Sequence, residues 1–117
     1  MISIGTDIVQ ISRFKKSIET NTEKFLQKIF TSQEIEYCNS YSNSHIHFSG
    51  KYAAKESVKK ALLSNNICEH ISLYDIQVLN RKDKSPYIII DSLKNIKFHI
   101  SISHDGDYAI AFAIIQK

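Results

Sequence analysis

The sequence predicts an α+β fold in which helices of the N-terminal half pack on a mainly antiparallel sheet from the C-terminal half. Three observations carry this expectation. Before about residue 64, apolar residues recur mostly at helical spacing; from residue 71 onward they alternate or run in short blocks. No repeat, low-complexity tract or linker interrupts the 117 residues, so a single domain over 1–117 is expected.

Each element has its own signal. Residues 1–7 read as a strand, with Ile2, Ile4 and Thr6 alternating with Ser3, Gly5 and Asp7. A helix follows, carrying Ile11, Phe14 and Ile18 on one side and Arg13, Lys16 and Thr20 near the other. "TEKFLQKIF" (22–30) suits a second helix, and "TSQE" (31–34) forms a capping box in which Thr31 accepts from a helix N–H and Glu34 reaches back. A loop near "NSYSNS" leads to a long helix over about 46–63. Strands are expected at 71–80, 85–91, 96–103 and 107–115, the last two joined at "HDGD", where Gly106 adopts positive φ freely.

Composition narrows the function. Hydrophobic content of 43% with only three glycines and one proline argues against disorder. No apolar run reaches the ~18 residues of a membrane span, and the N-terminus lacks a signal-peptide pattern, so a cytoplasmic protein is expected. Cys38 and Cys68 have no metal-type spacing and read as reduced thiols. A net charge of +3 does not demand nucleic acid and suits phosphorylated small molecules or an acidic protein equally well.

The segment "GKYAAKESVKKAL" (50–62) raises the central question, because it holds a lone acid among four lysines. Gly50, Ala54, Ser57 and Ala61 form a small-residue stripe that lets a helix approach a sheet closely, and the alternating Ala109, Ala111 and Ala113 offer the partner surface. Lys51, Lys55 and Lys59 fall on the far side. Glu56 and Lys60 form a favourable (i, i+4) pair, the structural account of the acid. The functional account pairs Glu56 with Asp7 as a two-carboxylate site for Mg²⁺, with lysines nearby holding phosphate oxygens. Asp7 alone is equally a turn or cap aspartate. His104, at the last turn, is either a phosphate contact or an exposed turn histidine. Ser103, His104 and Asp105 are too close in sequence for a hydrolase triad, and His45 and His47 lack the convergent ligands of a zinc site.

Together "IGTDIVQISRF", "FSGKYAAKESVKKAL" and "HISISHDGDYAIAFAII", in this order, resemble the holo-[acyl-carrier-protein] synthase family of 4′-phosphopantetheinyl transferases. "KIFTSQEIEYC" and "KSPYIII" also fall where the family has comparable segments. The resemblance implies transfer of phosphopantetheine from coenzyme A to a serine of apo acyl carrier protein in support of fatty acid synthesis, releasing 3′,5′-ADP, by a homotrimer with sites at subunit interfaces. It implies Asp7 and Glu56 as metal-binding acids for Mg²⁺ and Lys60 beside the reacting phosphates. Lys51 and His104 match contacts to coenzyme A phosphates, and Arg13, with Lys16 as helper, matches the carrier-docking helix. The proton acceptor is Glu56 or a metal-ordered water. Departures from the family pattern are Tyr52 where phenylalanine or tryptophan is commoner, Ser57 where alanine is usual, and a glycine-free "ALLSNNICEH" in which Asn65 or Asn66 takes the left-handed conformation. The rivals are a non-catalytic basic α+β module that docks an acidic protein or RNA, and a phosphohydrolase using the same acids. No membrane partner is expected.

Overall fold

A computed structural model describes residues 1–117. Strand β1 (Ile2–Gln10) leads into helices α1 (Ile11–Thr20), α2 (Thr22–Ile29), α3 (Ser32–Asn39) and α4 (Ser44–Ser64). Strands β2 (Gln77–Asn80), β3 (Pro86–Ile89), β4 (Lys97–Asp105) and β5 (Tyr108–Gln116) complete the chain. The expected α+β architecture is present, but its strands divide between two sheets. β1, β5 and β4 form one antiparallel sheet in that order, while β2 and β3 pair separately as a ribbon.

Four boundaries differ from expectation for local reasons. β1 continues to Gln10 because β5 supplies partners along its whole length, from Ile2 opposite Gln116 to Gln10 opposite Tyr108. The strand expected over 71–80 is confined to β2, because the Ser72 hydroxyl caps a 3₁₀ turn at Leu73–Asp75. After β3 a second 3₁₀ turn at Asp91–Leu93 ends the extended run. β4 extends through His104 to Asp105, leaving a two-residue hairpin turn with Gly106 at φ 56°.

The close helix–sheet contact is as the small residues predict. Gly50, Ala54, Ser57 and Ala61 are buried on α4, and Ala109, Ala111 and Ala113 are buried on β5. The tightest point involves β1 instead. A Cβ added to Gly5 would lie 2.0 Å from the Ser57 carbonyl oxygen and 2.9 Å from the Ala61 nitrogen. The face of β1 turned to α4 therefore carries Ser3, Gly5, Asp7 and Val9, and Ser3 Oγ donates to the Ala61 carbonyl. Ile2, Ile4 and Ile8 are left on the outer face, at least 60% exposed. Across β5, Tyr108, Ile110 and Phe112 continue that outer apolar surface.

The helical layer folds around Phe14, Leu26, Phe30 and Phe48. Thr31 and Glu34 make the predicted capping box at the start of α3. α1 has no cap of its own from Gln10; instead the hairpin-turn Asp107 accepts from Ser12 N at 2.9 Å and Ser12 Oγ at 2.6 Å, and its carbonyl accepts from Ile11 N. The hydrogen bond from Ser12 holds the Asp107 carboxyl below the usual aspartate range. After α4, Asn66 turns the chain at φ 53°, one of the two asparagines expected to do so.

Of the lysines on the far side of α4, Lys51 and Lys55 are buried where the helix meets α3 and β2. Lys55 is fully buried and uses all three ammonium protons, on Glu34 Oε1 (2.9 Å), the Ile76 carbonyl (2.7 Å) and the Leu73 carbonyl (3.0 Å). Glu34 is equally complete, accepting from Thr31 N, Lys55 and Val78 N. A buried ion pair persists only with this kind of full satisfaction. Burial pushes the Lys55 pKa down, opposed chiefly by the Glu34 charge.

Candidate active site

Two clefts flank α4. The first, about 530 Å³, collects Asp7 from β1, Arg13 and Phe14 from α1, and Tyr52, Glu56 and Lys60 from α4. Asp7 reaches it because odd-numbered residues of β1 face the helix, with Gly5 holding strand and helix together two residues before. Lys60 Nζ donates to Asp7 Oδ1 at 2.9 Å and to the Thr6 carbonyl at 3.1 Å. The structural account of Glu56 thus fails, because Lys60 pairs with Asp7 across the cleft rather than with Glu56 along the helix.

Glu56 is engaged by Tyr52 instead. The Tyr52 phenol is pushed up to about 12, first by burial, then by the charge of Glu56 and the hydrogen bond to it, and then by Asp7. The phenol therefore keeps its proton beside Glu56, while its ring packs on Phe14 with centroids 4.9 Å apart. Asp7 and Glu56 bring two carboxylates from separate elements into one cleft, an oxygen donor set that fits a hard divalent cation such as Mg²⁺. Lys60 supplies positive charge at the same mouth.

The second cleft, about 260 Å³, contains Lys51 and His104 together with Tyr41, His47, Asn80 and Lys84. The sequence-derived candidates therefore divide. Asp7, Glu56, Lys60 and Arg13 line one cleft, Lys51 and His104 line the other, and Lys16 lines neither. Helix geometry accounts for part of this: five residues separate Lys51 from Glu56, a rotation of roughly 140°. Sheet order accounts for the rest, since Asp7 and His104 lie on the two edge strands, β1 and β4. Strand alternation also removes the hydrolase triad, because Ser103 and Asp105 face away from the side that His104 shares with Ile100 and Ile102. His47 stacks on Tyr41 at 3.8 Å between centroids. Its part in this cleft was missed at the sequence level, as was that of Lys84, because neither belongs to a recognisable spacing.

Two carboxylates and a lysine at one open cleft, with a second basic cleft nearby, define the class of site that handles phosphorylated substrates. The 4′-phosphopantetheinyl transferase superfamily matches residues 3–113. A holo-[acyl-carrier-protein] synthase of Thermodesulfovibrio yellowstonii is 43% identical over 112 residues, 96% of each chain. One from Chlamydia felis is 40% identical over 119 residues, covering 97% of this chain and 96% of its own. Among solved structures, the Helicobacter pylori holo-[acyl-carrier-protein] synthase in complex with coenzyme A superposes with a TM-score of 0.81 at 34% identity, over 97% of this chain and 99% of that one. The Bacillus anthracis enzyme, in complex with coenzyme A (3′,5′-ADP), gives 0.82 at 30% identity, over 97% and 94%. The chain belongs to the 4′-phosphopantetheinyl transferase superfamily and, within it, to the holo-[acyl-carrier-protein] synthases.

Proposed function

We propose that this protein, one domain over residues 1–117, transfers 4′-phosphopantetheine from coenzyme A to a serine of apo acyl carrier protein, in support of fatty acid synthesis in the cytoplasm. The observation that carries the reading is the meeting of Asp7, Glu56 and Lys60 at one cleft, with Asp7 and Lys60 paired across 53 positions of sequence. The serine hydroxyl attacks the β-phosphorus of the coenzyme pyrophosphate. A P–O bond to the serine forms, the phosphoanhydride P–O bond breaks, and 3′,5′-ADP leaves with the electron pair. Asp7 and Glu56 would hold Mg²⁺, which when bound supplies charge stabilisation to the pyrophosphate. Lys60, tethered at Asp7, is placed to neutralise the phosphoryl oxygens as charge shifts to the leaving group. Glu56 is the carboxylate in the cleft that no lysine neutralises, and so is available for the hydroxyl proton. Tyr52 orients it. Arg13 opens onto the same cleft from α1 and, with Lys16 on that helix, would meet the acidic carrier.

A homotrimer makes sense of the divided basic residues. The outer face of the β1-β5-β4 sheet exposes Ile2, Ile4, Ile8, Tyr108, Ile110 and Phe112, a contiguous apolar surface that monomers seldom leave to water. Three such faces packed around an axis form the walls of a prism, and each β1 edge then meets the β4 edge of the next copy. Asp7 and Glu56 of one subunit would thereby share a coenzyme with Lys51 and His104 of the next. The same face argues against the RNA-binding rival, since Lys97 is its only lysine or arginine. No helix is long and apolar enough to cross a membrane.

The test is intact-protein mass spectrometry of an apo carrier protein incubated with this protein, coenzyme A and Mg²⁺. One phosphopantetheine should be added, abolished by EDTA and by Glu56→Gln in a folded variant. Normal transfer by Glu56→Gln would remove that residue from the chemistry. No transfer to several carriers would return the binding module to favour, and free phosphopantetheine without carrier modification would select hydrolysis.

A further inference from the structure

The second cleft contains a lysine in a conformation that lysine does not favour. Lys84 has φ 73°, in the left-handed region that costs a non-glycine residue roughly 1–2 kcal/mol. The turn around it is fully specified. Lys84 N donates to the Arg81 carbonyl, Arg81 N to the Ser85 carbonyl, and Asp83 accepts from Ser85 N and Oγ. Asn80 fastens this turn to the cleft: its Nδ2 donates to the Lys84 carbonyl at 2.9 Å, and its Oδ1 accepts from Lys51 Nζ at 2.6 Å. Glycine would satisfy the same backbone without strain, so the turn does not account for a lysine here.

The side chain points to what does. Lys84 Nζ lies 5.7 Å from the centre of the Tyr41 ring, which is itself stacked on His47, and it pairs with no carboxylate. The cleft lining contains two lysines and two histidines and no acid. Lys51 is the less available lysine. It is buried beneath the cleft, donates to the Val78 carbonyl and Asn80 Oδ1, and sits over the Tyr37 ring at 4.6 Å. His47 feels the crowding directly: its pKa is lowered first by burial and then by His104, Lys51 and Lys84. An accumulation of like charge without a counter-ion is unfavourable until an anion enters.

We infer that Lys84 is a specificity-determining residue for the coenzyme, donating to its 3′-phosphomonoester from the turn between β2 and β3 while the Tyr41–His47 stack walls the pocket. This rests on the transferase reading above, in which the pyrophosphate is held beside Asp7 and Glu56. The 3′-phosphate is then the remaining phosphate of coenzyme A, with close to two negative charges, and the lysine with free donors is the one to meet it.

Isothermal titration of the full-length protein with coenzyme A and with 3′-dephospho-coenzyme A tests the assignment. Lys84→Gly keeps the left-handed turn and removes the charge. It should weaken coenzyme A by about tenfold, the loss of one charge-assisted hydrogen bond, and change dephospho-coenzyme A by less than about twofold. Lys84→Arg should retain most of the discrimination. Equal weakening of both ligands, or unchanged affinity for both, would overturn the role of Lys84 while leaving the transferase intact. If the unsubstituted protein binds neither coenzyme and transfers nothing, the transferase reading falls first and this one with it.

Discussion

Gly5→Ala should be the most damaging single-methyl change in the protein. The new Cβ would sit 2.0 Å from the Ser57 carbonyl oxygen, where ordinary contact begins near 3.4 Å, so β1 and α4 must separate by something over 1 Å. Both partners are backbone, and no rotamer change relieves the clash. A gap of that size forfeits a quarter to a half of the dispersion energy between the apposed alanine faces. The cost belongs at the upper end of overpacking, about 3 kcal/mol. At about 4 °C per kcal/mol for a chain of this size, the melting temperature should fall by about 12 °C. Gly50→Ala is the internal control. Its Cβ would meet only the Ile102 Cγ2 methyl at 3.1 Å, a side-chain atom able to yield, and alanine gains about 1 kcal/mol of helix propensity. Differential scanning calorimetry of both variants should show Gly50→Ala within about 4 °C of the parent. A Gly5→Ala melt within about 3 °C of the parent would refute the close-contact argument. Transfer by Gly5→Ala at a temperature where it remains folded should fall by about 10²-fold, because an ångström of strand displacement moves Asp7 relative to Glu56 and Lys60.

Lys55→Met leaves Glu34 buried without its cation and should cost about 3 kcal/mol in urea unfolding; pairing it with Glu34→Gln should recover part of that loss, and a neutral single variant would show that the ion pair is dispensable. Asp107 has its folded pKa depressed by Ser12, so its contribution is complete above the unfolded value of about 3.9 and is lost as pH falls through the lower folded value. The melting-temperature difference between the parent and Asp107→Asn should therefore shrink from pH 5 to pH 2, and a constant difference would exclude a charge effect. Phe112→Glu places a charge in the middle of the proposed trimer face. Sedimentation should show a smaller species with a folded circular-dichroism spectrum and little transfer activity, whereas an unchanged sedimentation coefficient would put the interface elsewhere.

The parts of the fold legible in the sequence are those written in local code. The Thr31–Glu34 capping box, the Gly106 turn and the small-residue stripe of α4 each declare themselves within a few residues, and each is found where expected. Motif and order single out Asp7, Glu56 and Lys60 as candidates, and the structure gathers them at one cleft, where Lys60 pairs with Asp7 rather than with its helical neighbour. The features on which the sequence is silent depend on residues distant in sequence. Lys55 looks like a solvated lysine until Glu34 and the carbonyls of Leu73 and Ile76 are brought around it. Asp107 looks like a turn residue until Ser12 arrives from 95 positions away. Lys84 carries no helical or strand signal at all, and its meaning lies in a dihedral angle and in the company of Tyr41, His47 and Lys51.

The small-residue contact also supplies the physical ground for the proposed trimer. Because α4 lies against Gly5 and the alanines of β5, strand alternation places Ile2, Ile4 and Ile8 of β1 and Tyr108, Ile110 and Phe112 of β5 on the opposite face, leaving Val9 and Ile115 as the large apolar residues of the inner one. The inner face thus gains a rigid seat for Asp7 beside Glu56, and the outer face gains an apolar surface that needs covering. The same sheet separates the acids at the β1 edge from His104 at the β4 edge by the full width of β5. An assembly that covers the outer face in a closed ring satisfies both needs at once, because it joins unlike edges of neighbouring copies. Isoleucine-to-alanine changes at Ile2 and Ile4 should therefore lower affinity for coenzyme A and trimer stability together, although neither residue lines either cleft. Loss of the trimer in an Ile2→Ala, Ile4→Ala double variant, with coenzyme affinity unchanged, would show that one subunit binds the coenzyme alone.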